Sequence, residues 1–171
     1  EYVGPGWGWA QNSPFRRYKL WTYEGGIATP MIAHWPGKVE AGAIEPAIGH
    51  VVDFMPTLME LSGAQYPAQR KGVEVLPPEG QSFLPVLTGD AGEESARMFF
   101  WGLYGNRAVR QGKWKMVWGT TARKWELYNL KVDRTETTDV IDQHPNQAKR
   151  MEQAWLRWAK KTGYPLTGTA L

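Results

Sequence analysis

Few residue types in this chain could do chemistry. Cysteine is absent, which excludes a disulfide framework, a thiolate zinc site and a cysteine nucleophile within it. The three histidines, His34, His50 and His144, are scattered with no i, i+4 partner and form no metal motif. His34 reads as a strand-end residue, His50 as a helix cap, and His144, before Pro145, as surface. Gly4, Gly6 and Gly8 make no G-x-G-x-x-G fingerprint, and no phosphate-binding loop is present. One tight group remains: Lys19, Tyr23 and Glu24, followed by Gly25-Gly26. A lysine supplies a cation, which by residue type alone reads as solvated surface. The glycine pair marks a place where the backbone turns tightly or approaches something closely. Asp53 reads as a helix-start carboxylate, favoured by the local dipole. Arg107 and Arg110 share a strand pattern and read as structural ion-pair partners.

Periodicity then assigns the elements that must place these groups. Residues 1–18, rich in Gly, Pro, Trp and Asn, read as an irregular loop. Thr29 to Trp35 reads as a short buried strand closed by Pro36-Gly37. His50 to Leu61 has helical spacing, with Gly63 as its stop and Pro56 loosening or kinking the first turn. Residues 64–96 read as a connector in which Leu84-Pro85-Val86-Leu87 is a short anchoring turn. Four strand patterns follow, at 98–104, 107–110, 113–118 and 125–130, separated by turn signals that argue for an antiparallel sheet. Pro145 opens a helix whose stripe Ala148, Met151, Trp155 and Trp158 would cover one sheet face, with Lys149, Arg150, Arg157, Lys160 and Lys161 mainly off it.

Composition bounds the rest. Hydrophobic residues are 42% of the 171, enough for a packed core, and charged residues are 22%. The net charge is +3 and there is no run of five like charges, so a nucleic-acid partner is not expected. No apolar run approaches the ~18 residues of a membrane span. Ten tryptophans and seven tyrosines serve core and interface packing first, and a sugar or aryl platform second. The chain opens at Glu1 without a visible signal peptide, and that opening reads as the middle of something longer.

Five blocks, in order across residues 2–160, resemble the sulfatase family of the arylsulfatase type. Lys19-Leu20-Trp21-Thr22-Tyr23-Glu24-Gly25-Gly26-Ile27 with Thr29-Pro30 and Trp35-Pro36-Gly37 resembles its K-x-x-T-Y-E-G-G-I-x-x-P…W-P-G block. Val52-Asp53 with Pro56-Thr57, Leu61 and Gly63 resembles V-D-x-x-P-T…L-x-G. Gly80-Gln81-Ser82-Phe83-Leu84-Pro85 with Leu87 and Gly89 resembles G-x-S-L-L-P-x-L-x-G. Arg107-Ala108-Val109-Arg110 with Gly112 and Trp114-Lys115 resembles R-A-V-R-x-G-x-W-K. Glu126-Leu127-Tyr128-Asn129-Leu130 with Asp133 and Glu136 resembles E-L-Y-D-L-x-x-D-x-x-E.

The resemblance implies an α/β fold. Residues 1–96 would be the C-terminal segment of an alkaline-phosphatase-like large domain. Residues 97–171 would be a small α+β subdomain, a four-stranded antiparallel sheet with a C-terminal helix. It implies hydrolysis of sulfate esters, with Lys19 as the catalytic, sulfate-binding cation and Tyr23 and Glu24 beside it as substrate-binding or positioning residues. Cationic charge at the oxygens of a sulfate ester stabilises the charge that grows as the S–O bond breaks. The family's formylglycine nucleophile, made from a C/S-x-P/A-x-R motif, and the Asp-Asp and Asp-Asn pairs that hold calcium have no match in this sequence. Ser13-Pro14-Phe15-Arg16 has the wrong spacing. The chain alone is therefore expected to be inactive and to need an N-terminal part of the same enzyme. Family habit suggests a periplasmic or secreted location, and a small sulfate ester or sulfated glycan as substrate. The alternatives are a phosphodiesterase or phosphonate hydrolase of the same superfamily, a non-catalytic Trp-rich glycan-binding module, and a structural subunit whose exposed apolar surface associates.

Overall fold

The structure is a computed structural model that describes residues 4–90 and 97–166. It divides into two compact units, Glu1–Pro30 with Ala96–Leu171, and Met31–Ser95. The first thirty residues thus group with the sheet, whereas the sequence reading grouped them with residues 31–96.

In the first unit, helices α1 (Gly4–Asn12) and α2 (Glu24–Ile27) precede strands Met98–Leu103, Asn106–Gln111, Trp114–Trp118 and Trp125–Asn129 and the long helix Pro145–Thr162. The strands form one antiparallel sheet in sequence order. Its first hairpin closes on Tyr104 and Gly105, at φ 48° and 80°. Positive φ at both turn residues matches the right-handed twist of the flanking strands. The helix begins at Pro145, whose missing N–H is no loss in the first turn, and ends at Gly163, φ 70°.

Side chains alternate across the sheet, and both faces are covered. One face sends Val109, Met116, Trp125 and Leu127 against Ala148, Met151, Trp155 and Ala159 of the helix. Trp158, expected on the buried stripe, sits at its margin, stacked 5.6 Å from Phe100. The opposite face sends Ala108, Val117, Tyr128 and Leu130 against Tyr23 and Trp21. Register places Arg110 beside Lys115, and Lys115 beside Tyr128, on this second face.

Residues 4–12 are helical where an irregular loop was expected. Glycine disfavours a helix, and contacts outside it compensate. Trp9 meets Tyr18 edge to face at 6.4 Å, and Asn12 closes the last turn by donating to the Gly8 carbonyl at 2.7 Å.

The second unit carries a 3₁₀ turn (Val51–Asp53), helix α3 (Phe54–Ser62), a two-residue ladder β1 (Gln69–Arg70) with β2 (Val73–Glu74), and α4 (Leu84–Leu87). The sheet strands of the first unit are therefore β3 to β6 and its long helix α5. Pro56 falls in the first turn of α3, where a missing N–H costs no helical bond, and α3 is regular from Phe54; the 3₁₀ turn Val51–Asp53 precedes it. His50 caps this 3₁₀ turn, its side chain accepting from the Val52 amide, and Asp53 Oδ2 accepts from the His50 amide at 2.8 Å. Asp53 also accepts from Gln81 N at 2.8 Å, and Thr57 Oγ1 accepts from Phe83 N at 2.7 Å. The V-D-x-x-P-T and G-x-S blocks thus hold each other. Thr29 to Trp35 forms no strand: no described strand runs beside it, and Ile32 is 93% exposed. A strand needs a partner for its amides and carbonyls. Among the described residues no helix is long and apolar enough to cross a membrane.

Candidate functional site

Lys19 is exposed on the loop between α1 and α2. The loop bends sharply, with Arg17 at φ 66° and Leu20 at φ 81°. Side chains rarely adopt that conformation unless the surroundings impose it. Here the surroundings are explicit. Trp21 N donates to the Tyr18 carbonyl at 3.1 Å. Asn106 Nδ2 donates to the Leu20 carbonyl at 3.0 Å, and Thr22 Oγ1 donates to the Arg107 carbonyl at 3.0 Å. The Arg17 guanidinium lies 4.3 Å from the Trp21 ring centroid.

The glycine pair explains how the loop closes on α2. Gly25 N donates to the Arg16 carbonyl at 3.0 Å. A Cβ at Gly25 would fall 2.2 Å from the Arg17 carbonyl oxygen, and one at Gly26 would fall 2.0 Å from that of Trp21. Only glycine permits this approach.

Tyr23 and Glu24 lie beneath the loop, 2% and 1% exposed. Tyr23 donates its hydroxyl to Glu126. Burial first, then the Glu126 carboxylate, pushes the Tyr23 phenol up. Arg16 lies over the Tyr23 ring at 4.3 Å and donates to Tyr128 Oη at 2.8 Å and to the Glu136 carbonyl at 3.1 Å. Glu24 pairs with Lys115 Nζ at 2.8 Å, with Arg134 at 3.5 Å and with Arg110 at 3.8 Å. Burial alone would raise the Glu24 carboxyl, but these cations, Lys115 above all, hold it below its ordinary value. Lys115 lies 2.8 Å from Glu136 as well. Burial of Glu136, with the nearby Glu24 charge, outweighs Lys115 and the Glu24 amide that favour its carboxylate, so its carboxyl is raised.

Of Lys19, Tyr23 and Glu24, Lys19 alone is exposed to solvent. Tyr23 and Glu24 turn their polar atoms to groups of the chain itself. Arg110 takes the ion-pair role expected of it. Arg107 stacks 5.1 Å from Trp118 and donates to the Leu166 carbonyl at 2.6 Å. His34 and His144 are exposed. The sequence reading missed Asn106, Arg16, Lys115 and Glu136 as supports of the loop. Lys115 had a signal: strict alternation in Lys113 to Trp118 puts it opposite the tryptophans, on a face the reading left uncovered. A cleft of about 720 Å³ in this unit, lined by Trp9, Phe15, Arg16, Glu126 and Tyr128 among others, does not include Lys19. Among the described residues no three His, Asp or Glu side chains converge to hold a metal ion. The described residues therefore do not fit a calcium site of their own. What the loop offers is an exposed lysine whose flanking backbone is held in place.

A family model described as N-sulphoglucosamine sulphohydrolase, C-terminal, matches residues 15–160. The chain belongs to the sulfatase family. An uncharacterized sulfatase of Schizosaccharomyces pombe is 29% identical to this sulfatase chain over 167 residues, 95% of the chain and 30% of the relative. The N-acetylgalactosamine-6-sulfatase of Canis lupus familiaris is 32% identical over 124 residues, 71% of the chain and 22% of the relative. The crystal structure of Ps i-CgsB in complex with k-i-k-neocarrahexaose superposes with a TM-score of 0.73 at 24% identity, covering 86% of the chain and 32% of that structure. The sulfatase chain thus spans about a third of these proteins or less. Its fold, a four-stranded antiparallel sheet with a C-terminal helix beside α/β segments, is the one this family carries.

Proposed function

We propose that this chain is the C-terminal part of a sulfuric ester hydrolase in which Lys19 binds a sulfate oxygen of the substrate. The observation that carries the reading is the loop geometry. The backbone on both sides of Lys19 is held by hydrogen bonds at Tyr18, Leu20, Trp21 and Thr22, and Lys19 itself is exposed. A preorganised cation stabilises charge as it develops without reorganising during the reaction. Tyr23 and Glu24 position the loop and do not touch substrate. The nucleophile and any calcium would come from the rest of the protein, which supports the expectation that residues 1–171 alone release no sulfate.

A sulfated glycan is the substrate class we favour. The dog relative is named for a sulfated amino sugar, and the Ps i-CgsB structure holds an oligosaccharide. The test uses protein expressed from its complete reading frame, with sulfate release measured from N-acetylgalactosamine 6-sulfate, sulfated oligosaccharides and an aryl sulfate. Lys19→Ala should lower kcat/KM by about 10²–10³-fold, the usual cost of one preorganised transition-state contact. Release from the aryl sulfate alone would replace the glycan assignment. Equal rates for Lys19→Ala and the unaltered enzyme, or no sulfate release from any ester, would overturn the reading.

A further inference from the structure

Lys115 is fully buried, with its ammonium 2.8 Å from both Glu24 and Glu136. Burying charges in this way carries a desolvation cost that an apolar replacement would avoid, so stability alone is a weak reason for the cluster. Its position supplies a better one. Glu24 is the first residue of α2, and it is held twice from the sheet side. Lys115 of β5 takes its carboxylate, and Glu136 Oε2 accepts from its backbone N–H at 2.6 Å. The next two residues are the glycines on which the loop rests. Gly25 lies against the carbonyls of Arg16 and Arg17, and Gly26 against those of Tyr18 and Trp21. Tyr18 and Trp21 flank Lys19. The contacts therefore run without a gap from β5 through Glu24 and the glycine pair to the backbone on either side of Lys19.

The geometry points to Lys115 as a positioning residue: with Glu136 it fixes α2, and through α2 the loop that presents Lys19. This inference rests on the sulfatase reading of Lys19. Lys115 itself touches no substrate. Misplacing a catalytic group by about 1 Å through a distant change costs on the order of 10²-fold in rate.

The test is a double-mutant cycle in protein expressed from its complete reading frame. Lys115→Met, Lys19→Ala and the double variant are assayed for kcat and KM, with hydrogen exchange followed at the amides of Trp21 and Gly25. Lys115→Met should lower kcat by about 10–10²-fold. The double variant should be no slower than Lys19→Ala, because both changes remove the same contribution. The Trp21 and Gly25 amides should exchange faster, while those of β4 and β5 stay protected. Lys115→Arg, which keeps the charge, should recover part of the rate. Should Lys115→Met fail to fold, Glu136→Gln, which retains an acceptor for the Glu24 amide, should show the same non-additivity with a smaller loss. Losses that multiply in the double variant would overturn the inference, as would a lowered melting temperature with kcat and loop exchange unchanged. If Lys19→Ala has no effect, the sulfatase reading of Lys19 fails by itself, and faster loop exchange still supports Lys115 as the support of the loop.

Discussion

A methyl group at Gly25 has nowhere to go. Its carbon would stand 2.2 Å from the Arg17 carbonyl oxygen and 2.6 Å from that of Arg16, and backbone cannot step aside as a side chain can. Gly25→Ala should therefore destabilise the first unit by about 1–3 kcal/mol, as overpacking does. On the proposed role of Lys19 it should also lower sulfate release by the complete protein by more than that loss of folded protein explains, because the loop that carries Lys19 packs on Gly25. Urea denaturation alongside kcat separates the two effects. Tyr23→Phe removes the hydroxyl donor to the Glu126 carboxylate and leaves that oxygen short of a partner at a cost of about 1–3 kcal/mol, read the same way. The glycine pair was legible in the sequence because its demand for close backbone approach is local. The partners of Glu24 were not, since Lys115 and Glu136 lie 91 and 112 residues further along.

Strands and helices divide by how much of their stability is their own. The four strands and α5 stand where periodicity puts them, because each pattern is repeated by the partner that buries it. Trp155 shows what that burial is worth. It is fully buried, and its Nε1 donates to the Trp101 carbonyl at 2.9 Å. Trp155→Ala should cost about 3–5 kcal/mol, whereas Lys160→Ala on the exposed side of α5 should stay within about 0.5 kcal/mol. Thermal denaturation of the two variants checks the contrast. In the second unit, Asp53→Ala frees two amides, those of His50 and Gln81, and should cost about 2 kcal/mol. Helix α1 was not legible, because its glycine-rich sequence argues against the helix that Trp9 and Asn12 stabilise. The expected strand from Thr29 to Trp35 failed for the converse reason: an apolar pattern does not supply the neighbouring strand it needs.

The buried charges give the first unit a pH dependence in which two carboxylates act in opposite senses. Glu24 is held below its ordinary value, so its contribution is present above the ordinary carboxylate range and is lost as pH falls through its folded value. Asp133, lowered because the amides of Thr138 and Thr137 outweigh its burial, acts in the same sense. Glu136 is raised, so its contribution is present below the ordinary range and is lost as pH rises through its folded value. Stability should therefore rise on acidification from neutral pH as Glu136 takes up a proton, and fall once Glu24 and Asp133 must do so. Glu136→Gln should flatten the rise and leave the acid fall. Urea midpoints from neutral to acid pH measure both limbs, and an unchanged rise in Glu136→Gln would contradict the assignment.

By itself the sequence determined the family, the order of the four strands, the long helix after them and the tight glycine turn after Lys19. Each is written in short-range spacing: alternation for a strand, steps of three and four for a helix, and K-x-x-T-Y-E-G-G for the loop. Only the tertiary structure decided which face of the sheet Trp21, Tyr23 and Glu24 cover, and therefore that Tyr23 and Glu24 point inward. Strand register, which no local pattern encodes, sets Arg110, Lys115 and Tyr128 side by side beneath them. A buried carboxylate is stable only where cations meet it, and those cations come from strands far along the chain.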